Sequence, residues 1–295
     1  MTWYSQVNFD CKSSKLKLCA KQHPYQITSN EFKTIESCLL DPYYETWPKS
    51  AIHSNLLKLG KITISRSTFY KHAQQIMPSK ERKKSRKKGY RPLRASYVNK
   101  YWHMDISYFN TDNNQRSFIY AIIDNYSRKI IAWKCEQEIS KIHIGSVINE
   151  ALKLTSLTQL NLVTDGGKEN VNQYIQNLIL QYYEQSGIDI EHKIALKTIR
   201  QSNSMIERFF RIMKSNYLYF NVPYSHQELC LALEKIIHEY NFLRPHYALN
   251  HLTPAECFDG KQFPDISKRI KRARKQRFKK NKNCNCTLCI CDEPD

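Results

Sequence analysis

Apolar positions change period along the chain. From residue 30 to residue 77 they recur at helical spacing. "NEFKTIESCLL" starts at Asn30, read as its cap, and carries Phe32, Ile35 and Leu39. After a Pro-Tyr break, "KSAIHSNLLKL" supplies Ile52, Leu56 and Leu59 and stops at Gly60. "ISRSTFYKHAQQI" has Ser65 as its cap, with Phe69, Ala73 and Ile76 facing inward. Two helices joined by a glycine-containing turn predict a helix-turn-helix. Its second helix exposes Ser67, Thr68, Lys71 and Gln74.

Beyond residue 97 the period drops to two. "YWHMDISYF" sets Trp102, Met104, Ile106 and Tyr108 on one face and His103, Asp105 and Ser107 on the other. "SFIYAIID" and "KIIAWKCE" follow across turn-rich links, so three antiparallel strands are expected. Then come a helix over about 140–155, the apolar "LNLVTD", a helix over about 169–186 and a short strand in "GIDIEHKIA". Long helices over about 201–220 and 225–242 complete the order. The fold class expected is α/β, a mixed sheet with helices on its faces, in the element order of a ribonuclease-H-like fold. A small all-α helix-turn-helix domain precedes it.

Charge divides the chain further. Residues 80–94 hold nine Lys or Arg against one Glu, and residues 267–282 hold ten and no acid. These two runs carry nearly all of the +19 net charge and read as flexible segments. Such runs suit a polyanion, since each phosphate neutralised releases counterions. The expected divisions are an N-terminal extension (1–29), the helix-turn-helix (30–78), a basic linker (79–96), the core (97–260) and a basic, Cys-rich tail (261–295).

No stretch approaches 18 uncharged apolar residues and the N-terminus lacks a signal-peptide core, so a cytoplasmic protein without membrane partners is expected. Six scattered cysteines then read as reduced apolar residues. Cys284, Cys286, Cys289 and Cys291 are bunched as C-x-C-x2-C-x-C, a possible zinc site, although zinc ligand pairs are normally separated by a longer loop.

Three acids stand out. Asp105 lies in mid-strand, where a carboxylate is costly unless paired or metal-bound. Asp165 ends a strand in "TDGG", where a turn alone would explain it. In "RQSNSMIERFFRIMK", Arg200, Asn203, Glu207, Arg211 and Lys214 share one helical face beside the apolar stripe Ile206, Phe210, Met213 and Tyr217. Taken alone, Glu207 would be an ordinary solvated acid. Asp124, in "IIDNYSR", is explained by an Asx turn, and His103 by a polar partner or a DNA contact.

In this order, "WHMD", "TDGG" and "NSMIERFFRIMK" resemble the acid triad of the DDE transposase and retroviral-integrase catalytic core. The segment "EYNFLRPHYALNHLTPAECF" is similar to the end of that core in insertion-sequence transposases. The resemblance covers about residues 97–260 and, more loosely, the helix-turn-helix and basic linker before them. It implies that Asp105, Asp165 and Glu207 are catalytic and hold Mg2+ or Mn2+, two ions per site. It also implies that Asn203 and Lys214 help place DNA or the site, with Arg211 on the same face a further candidate DNA contact; Ser67, Thr68, Lys71 and Gln74, exposed on the second helix of the helix-turn-helix, are candidate DNA contacts from that pattern. The chain would then bind double-stranded element ends and target DNA as a homo-oligomer, cutting and joining strands.

One departure concerns the third acid. Between Asp165 and Glu207 lie 41 residues, several more than insertion-sequence spacing. Glu169 is too near Asp165, and Glu184 and Glu191 lack the Asn and Lys partners, so Glu207 is retained. The rival readings are a metal-dependent nuclease on the same fold and a catalytically silent DNA-binding descendant.

Overall fold

The computed structural model describes residues 25–78, 93–155, 157–167, 173–199 and 203–283. They fall into two compact units. One contains residues 25–45, 52–78 and 264–283; the other contains 46–51 and the described residues of 93–263.

In the first unit, α1 (Ser29–Leu40) packs against α3 (Arg66–Ile76). The cap of α1 is Thr28, two residues before the Asn30 expected from sequence. Thr28 Oγ1 accepts from the Glu31 amide at 3.3 Å, and the Glu31 carboxylate accepts from the Thr28 amide at 3.0 Å. That reciprocal box satisfies two of the amides a helix start leaves open, which a lone Asn30 would not. Ser65 caps α3 as expected, and Phe69 and Ala73 are fully buried. Leu59, expected inside, is exposed: α2 (Lys49–Lys58) ends before it, and Gly60 turns the chain at φ +75°.

The second basic run departs most from its expectation. Composition predicts a flexible tail, whereas Ser267–Asn283 form a helix, α9, within this first unit. One side chain explains the docking. The Arg277 guanidinium meets Glu31 through two nitrogens, at 2.6 and 3.0 Å, and also reaches Thr63 Oγ1 at 2.7 Å. Asn281 Nδ2 donates to the Gln26 carbonyl, and Phe278 packs on Tyr25. Burial alone would raise the Glu31 pKa, but Arg277 and Thr28 outweigh it and leave the carboxyl below its ordinary value. Arg277→Ala would strand a half-buried carboxylate, for a cost of about 2–4 kcal/mol. We expect amide exchange in α1 and α9 to accelerate together; unchanged protection in α1 would show that the pair does not hold them.

The second unit is built on a five-stranded sheet in the order β3-β2-β1-β4-β5. β1 (Tyr101–Asn110), β2 (Arg116–Asp124) and β3 (Ile130–Glu136) form the expected antiparallel meander. β4 (Gln159–Thr164) runs parallel to β1, and β5 (Asp189–Ile194) runs parallel to β4. α4 (Lys141–Lys153) and α5 (Gln173–Ser186) cover one face, packing Ile144, Val147 and Ile175 on Trp102, Met104 and Ile122. α6 (Ser204–Met213) and α7 (His226–His238) cover the other, packing Phe209, Met213 and Leu233 on Ile119, Ala121 and Ile123. This is a ribonuclease-H-like sheet, covered on both sides. For that reason β2 reads as an almost unbroken apolar run, and the non-apolar face of β1 is not a solvent face.

The motif after α7 is architectural. Asn241 donates to the Ile130 carbonyl and accepts from the Ile130 amide, both at 2.9 Å, at the start of β3. Arg244 is only 2% exposed, stacks on Tyr240 and donates to Tyr217 Oη. Thr253 and Glu256 form a second capping box on α8 (Pro254–Phe258). The expected continuous helices break near their ends: Lys214–Leu218 and Glu239–Leu243 widen into π-helical turns. The Cys284–Cys291 cluster lies outside the described residues. Among the described residues no helix is long and apolar enough to cross a membrane.

Candidate active site

Strand register accounts for the placement of the first two acids. β1 and β4 are paired through His103↔Val163, and Asp105 and Asp165 stand two residues beyond on each chain. Equal steps along parallel strands carry both toward the same sheet face. Asp105 is half-buried, and its Oδ1 accepts from the Ile106 amide at 2.9 Å. Asp165 follows the last residue of β4, and its Oδ1 accepts from the Gly167 amide at 3.1 Å. The turn reading of "TDGG" is therefore correct, and it fixes the carboxylate at a strand end without excluding a second role.

Sequence reasoning missed the support beneath that turn. The Thr164 hydroxyl donates to the Asp165 carbonyl at 2.9 Å, so it accepts from His192 Nε2, also at 2.9 Å. His192 stands on β5 opposite Leu162, a pairing that no local pattern reveals.

Glu207 lies in the first turn of α6 and is exposed. It lines a cleft of about 400 Å³ with Asp105, Ser107, Arg211, Lys214 and Tyr219. The sequence-predicted Asp105, Glu207, Arg211 and Lys214 are thus brought together. Asp165 does not line that cleft, and the three carboxylates are not gathered within 4.8 Å of one another. Lys214 Nζ sits 5.1 Å from the Tyr108 ring centroid, and the Arg116 guanidinium lies 5.0 Å from the same ring. Desolvation pulls the Lys214 pKa below its ordinary value, and the Asp105 charge opposes that shift. The cleft joins acid to cation, and all three acids offer only oxygen donors, which suits hard divalent ions.

Asn203 is not placed where it could touch DNA. It is 2% exposed at the start of α6 and does not face outward toward a ligand. Its Nδ2 donates to the Met104 carbonyl at 2.9 Å, so its Oδ1 must accept from His103 Nδ1 at 2.8 Å. His103 Nε2 is then the acceptor for Asn125 Nδ2, at 2.8 Å. Asn125 closes the chain by donating to the Leu93 carbonyl and accepting from the Ala95 amide. Every polar group in this buried row has a partner, and the row ties the start of α6 to the strand that carries Asp105. Burial holds His103 neutral, with its pKa lowered to about 4. Its direct reach to DNA or metal is excluded by the same bonds.

The distractors are accounted for. Asp124 is fully buried and accepts from Asn99 N, Ser127 N and Ser127 Oγ, the expected Asx-type turn. Glu184 is exposed on α5, and Glu191 pairs with Lys193 at 3.1 Å on β5. On α3, Ser67, Lys71 and Gln74 are exposed, whereas Thr68 is partly covered and bonded to Ser65.

Comparison with known proteins bears on the same region. Two profiles of the integrase core domain match, over residues 95–200 and 189–254. A protein described as a transposase, InsK, for insertion sequence element IS150 of Escherichia coli (strain K12) is 23% identical over 177 residues. The match covers 60% of each, so the chain spans about 60% of that relative's length. Among solved structures, the HTLV-2 integrase catalytic core in complex with magnesium (trimeric form) gives a TM-score of 0.43 at 19% identity. That match covers 55% of this chain and 98% of the other. The BIV integrase catalytic core gives 0.40 at 20% identity, covering 59% and 99%. Residues 95–254 are an integrase core domain, and through it the chain belongs to the family of DDE transposases and retroviral integrases.

Proposed function

We propose that the chain is a DNA transposase that binds element ends and cuts and joins DNA strands at Asp105, Asp165 and Glu207. The observation that supports this most is the meeting of Asp105 and Glu207, distant in sequence, in one cleft with Arg211 and Lys214. Cations in an open groove suit the negative charge of a phosphodiester, and the carboxylates beside them suit hard divalent ions.

The carboxylates of Asp105, Asp165 and Glu207 would hold Mg2+ or Mn2+. When bound, such ions promote deprotonation of the attacking oxygen and stabilise charge on the leaving oxygen. Arg211 and Lys214 grip backbone phosphates on either side of the reacting one. The attacking oxygen comes from water in cleavage and from the freed 3′-hydroxyl in joining, so no side chain becomes covalently attached. The buried row His103–Asn203 keeps the first turn of α6, and Glu207 with it, at a fixed height over β1. In the first unit, the exposed Ser67, Lys71 and Gln74 on α3 suit contact with a DNA groove, and the exposed cations of α9 suit phosphates.

The test uses the full chain, labelled duplex ends of the element, target DNA and Mg2+ or Mn2+. Ends joined to target are the expected product. Hydrolysis without joining, when both ends are supplied, would replace this reading with a nuclease; binding without either would replace it with a silent DNA-binding protein.

A further inference from the structure

Away from the acidic cleft, α7 meets the outer strand β3 through a corner that is not apolar. There Cys135 of β3 and His226 and Cys230 of α7 place their thiols and a ring nitrogen all within 4.8 Å of one another. Among the described residues no other trio of His, Cys, Asp or Glu is so close. His226 and Cys230 are four residues apart on one helix and share a face. Further along that face Leu229, Leu233 and Ile237 pack on the sheet, as an ordinary helix seam does.

The imidazole is oriented. Ser117 Oγ, fully buried on β2, lies 2.9 Å from His226 Nδ1, and His226 Nε2 lies 3.5 Å from Cys230 Sγ. A hydroxyl behind Nδ1 leaves Nε2 as the nitrogen that faces the two sulfurs. Outer hydrogen bonds of this kind fix the tautomer of a ligating histidine.

We infer that Cys135, His226 and Cys230 form a zinc site that fastens α7 to β3. Two sulfurs and one imidazole match the donors zinc prefers, with Zn–S near about 2.3 Å and Zn–N near about 2.0 Å. Tetrahedral bonds of those lengths put neighbouring donors about 3.5–3.8 Å apart, inside the 4.8 Å span of the three atoms here. His226 and Cys230 are partly exposed, which gives the ion an entry path and leaves a fourth position for water. The oxygen-only acids of the cleft prefer harder ions, so the two sites do not compete for one metal.

The test starts from the chain with Cys284→Ser, Cys286→Ser, Cys289→Ser and Cys291→Ser, so that the clustered cysteines contribute no zinc. Purified without chelator, it is expected to hold about one zinc ion per chain. Adding Cys230→Ser, or separately His226→Gln, should lower that content at least about tenfold, with far-UV circular dichroism unchanged. Cobalt(II) in place of zinc should produce a thiolate-to-cobalt charge-transfer band, which Cys230→Ser weakens or removes. Because that band is read on the parent protein, the result does not depend on a variant folding. Zinc retained in both variants would overturn the site. So would a metal-free protein that takes up no cobalt, or a mass showing Cys135 and Cys230 joined as a disulfide.

Discussion

Asp105→Asn and Glu207→Gln are each expected to slow strand cleavage and joining by about a thousandfold or more, with DNA binding and fold intact. Each exchange keeps the shape of the side chain and removes one negative charge. A thousandfold corresponds to about 4 kcal/mol of transition-state stabilisation, within what a lost metal ligand removes. Neither position supports the core: Asp105 is half-buried and Glu207 is exposed. Single-turnover cleavage of labelled ends in Mg2+ is the measurement. Glu184→Gln and Glu191→Gln serve as comparisons, because they are the other glutamates between Asp165 and Glu207 that the structure describes. A Glu207→Gln protein as fast as wild type would remove Glu207 from the site, and a slow Glu191→Gln protein would name its replacement.

The second large effect concerns stability. Asn203→Ala deletes the acceptor of His103 Nδ1–H and the donor to the Met104 carbonyl, leaving two buried polar groups unsatisfied. We expect a loss of about 2–4 kcal/mol in the second unit, read by the fluorescence of Trp102 and Trp133 during urea unfolding. The same row makes stability depend on pH. His103 has a folded pKa of about 4 against an ordinary 6.5, because burial penalises the imidazolium. On acidification the unfolded chain takes the proton first. The contribution of neutral His103 is therefore complete above pH 6.5 and is lost as pH falls toward 4, by about 3 kcal/mol in all. Protonation would also turn Nε2–H against the donating amide of Asn125. His103→Gln should flatten the unfolding free energy across that window; an unchanged slope would assign the dependence to other groups.

Much of this architecture was legible along the chain because its signals are local. The alternation in β1, the apolar run of β2 and the stripe Ile206, Phe210 and Met213 each follow from one element burying one face. What escaped depends on pairings across large separations. Arg277 looked like one more cation in a charged tail; only Glu31, 246 residues earlier, turns that segment into a docked helix. Asn203 looked like an outward polar residue until His103, 100 residues earlier, supplied its partner. His226, Cys135 and Cys230 carry no spacing signature, since strand and helix meet only in the fold. The three acids were singled out by the resemblance of WHMD, TDGG and NSMIERFFRIMK taken in order, because a turn explains Asp165 and a solvated helix face explains Glu207 when each is read alone.

The grip of Asn241 on Ile130 bears on how the sheet ends. β3 is an outermost strand, and the outward amide and carbonyl of such a strand invite another chain to pair. Asn241 supplies a carboxamide in place of that chain and occupies the first rung of the open edge from within the same molecule. A foreign β-strand seeking to extend the sheet from that end would have to displace it, so the side chain that seats β3 also guards the sheet against runaway strand addition.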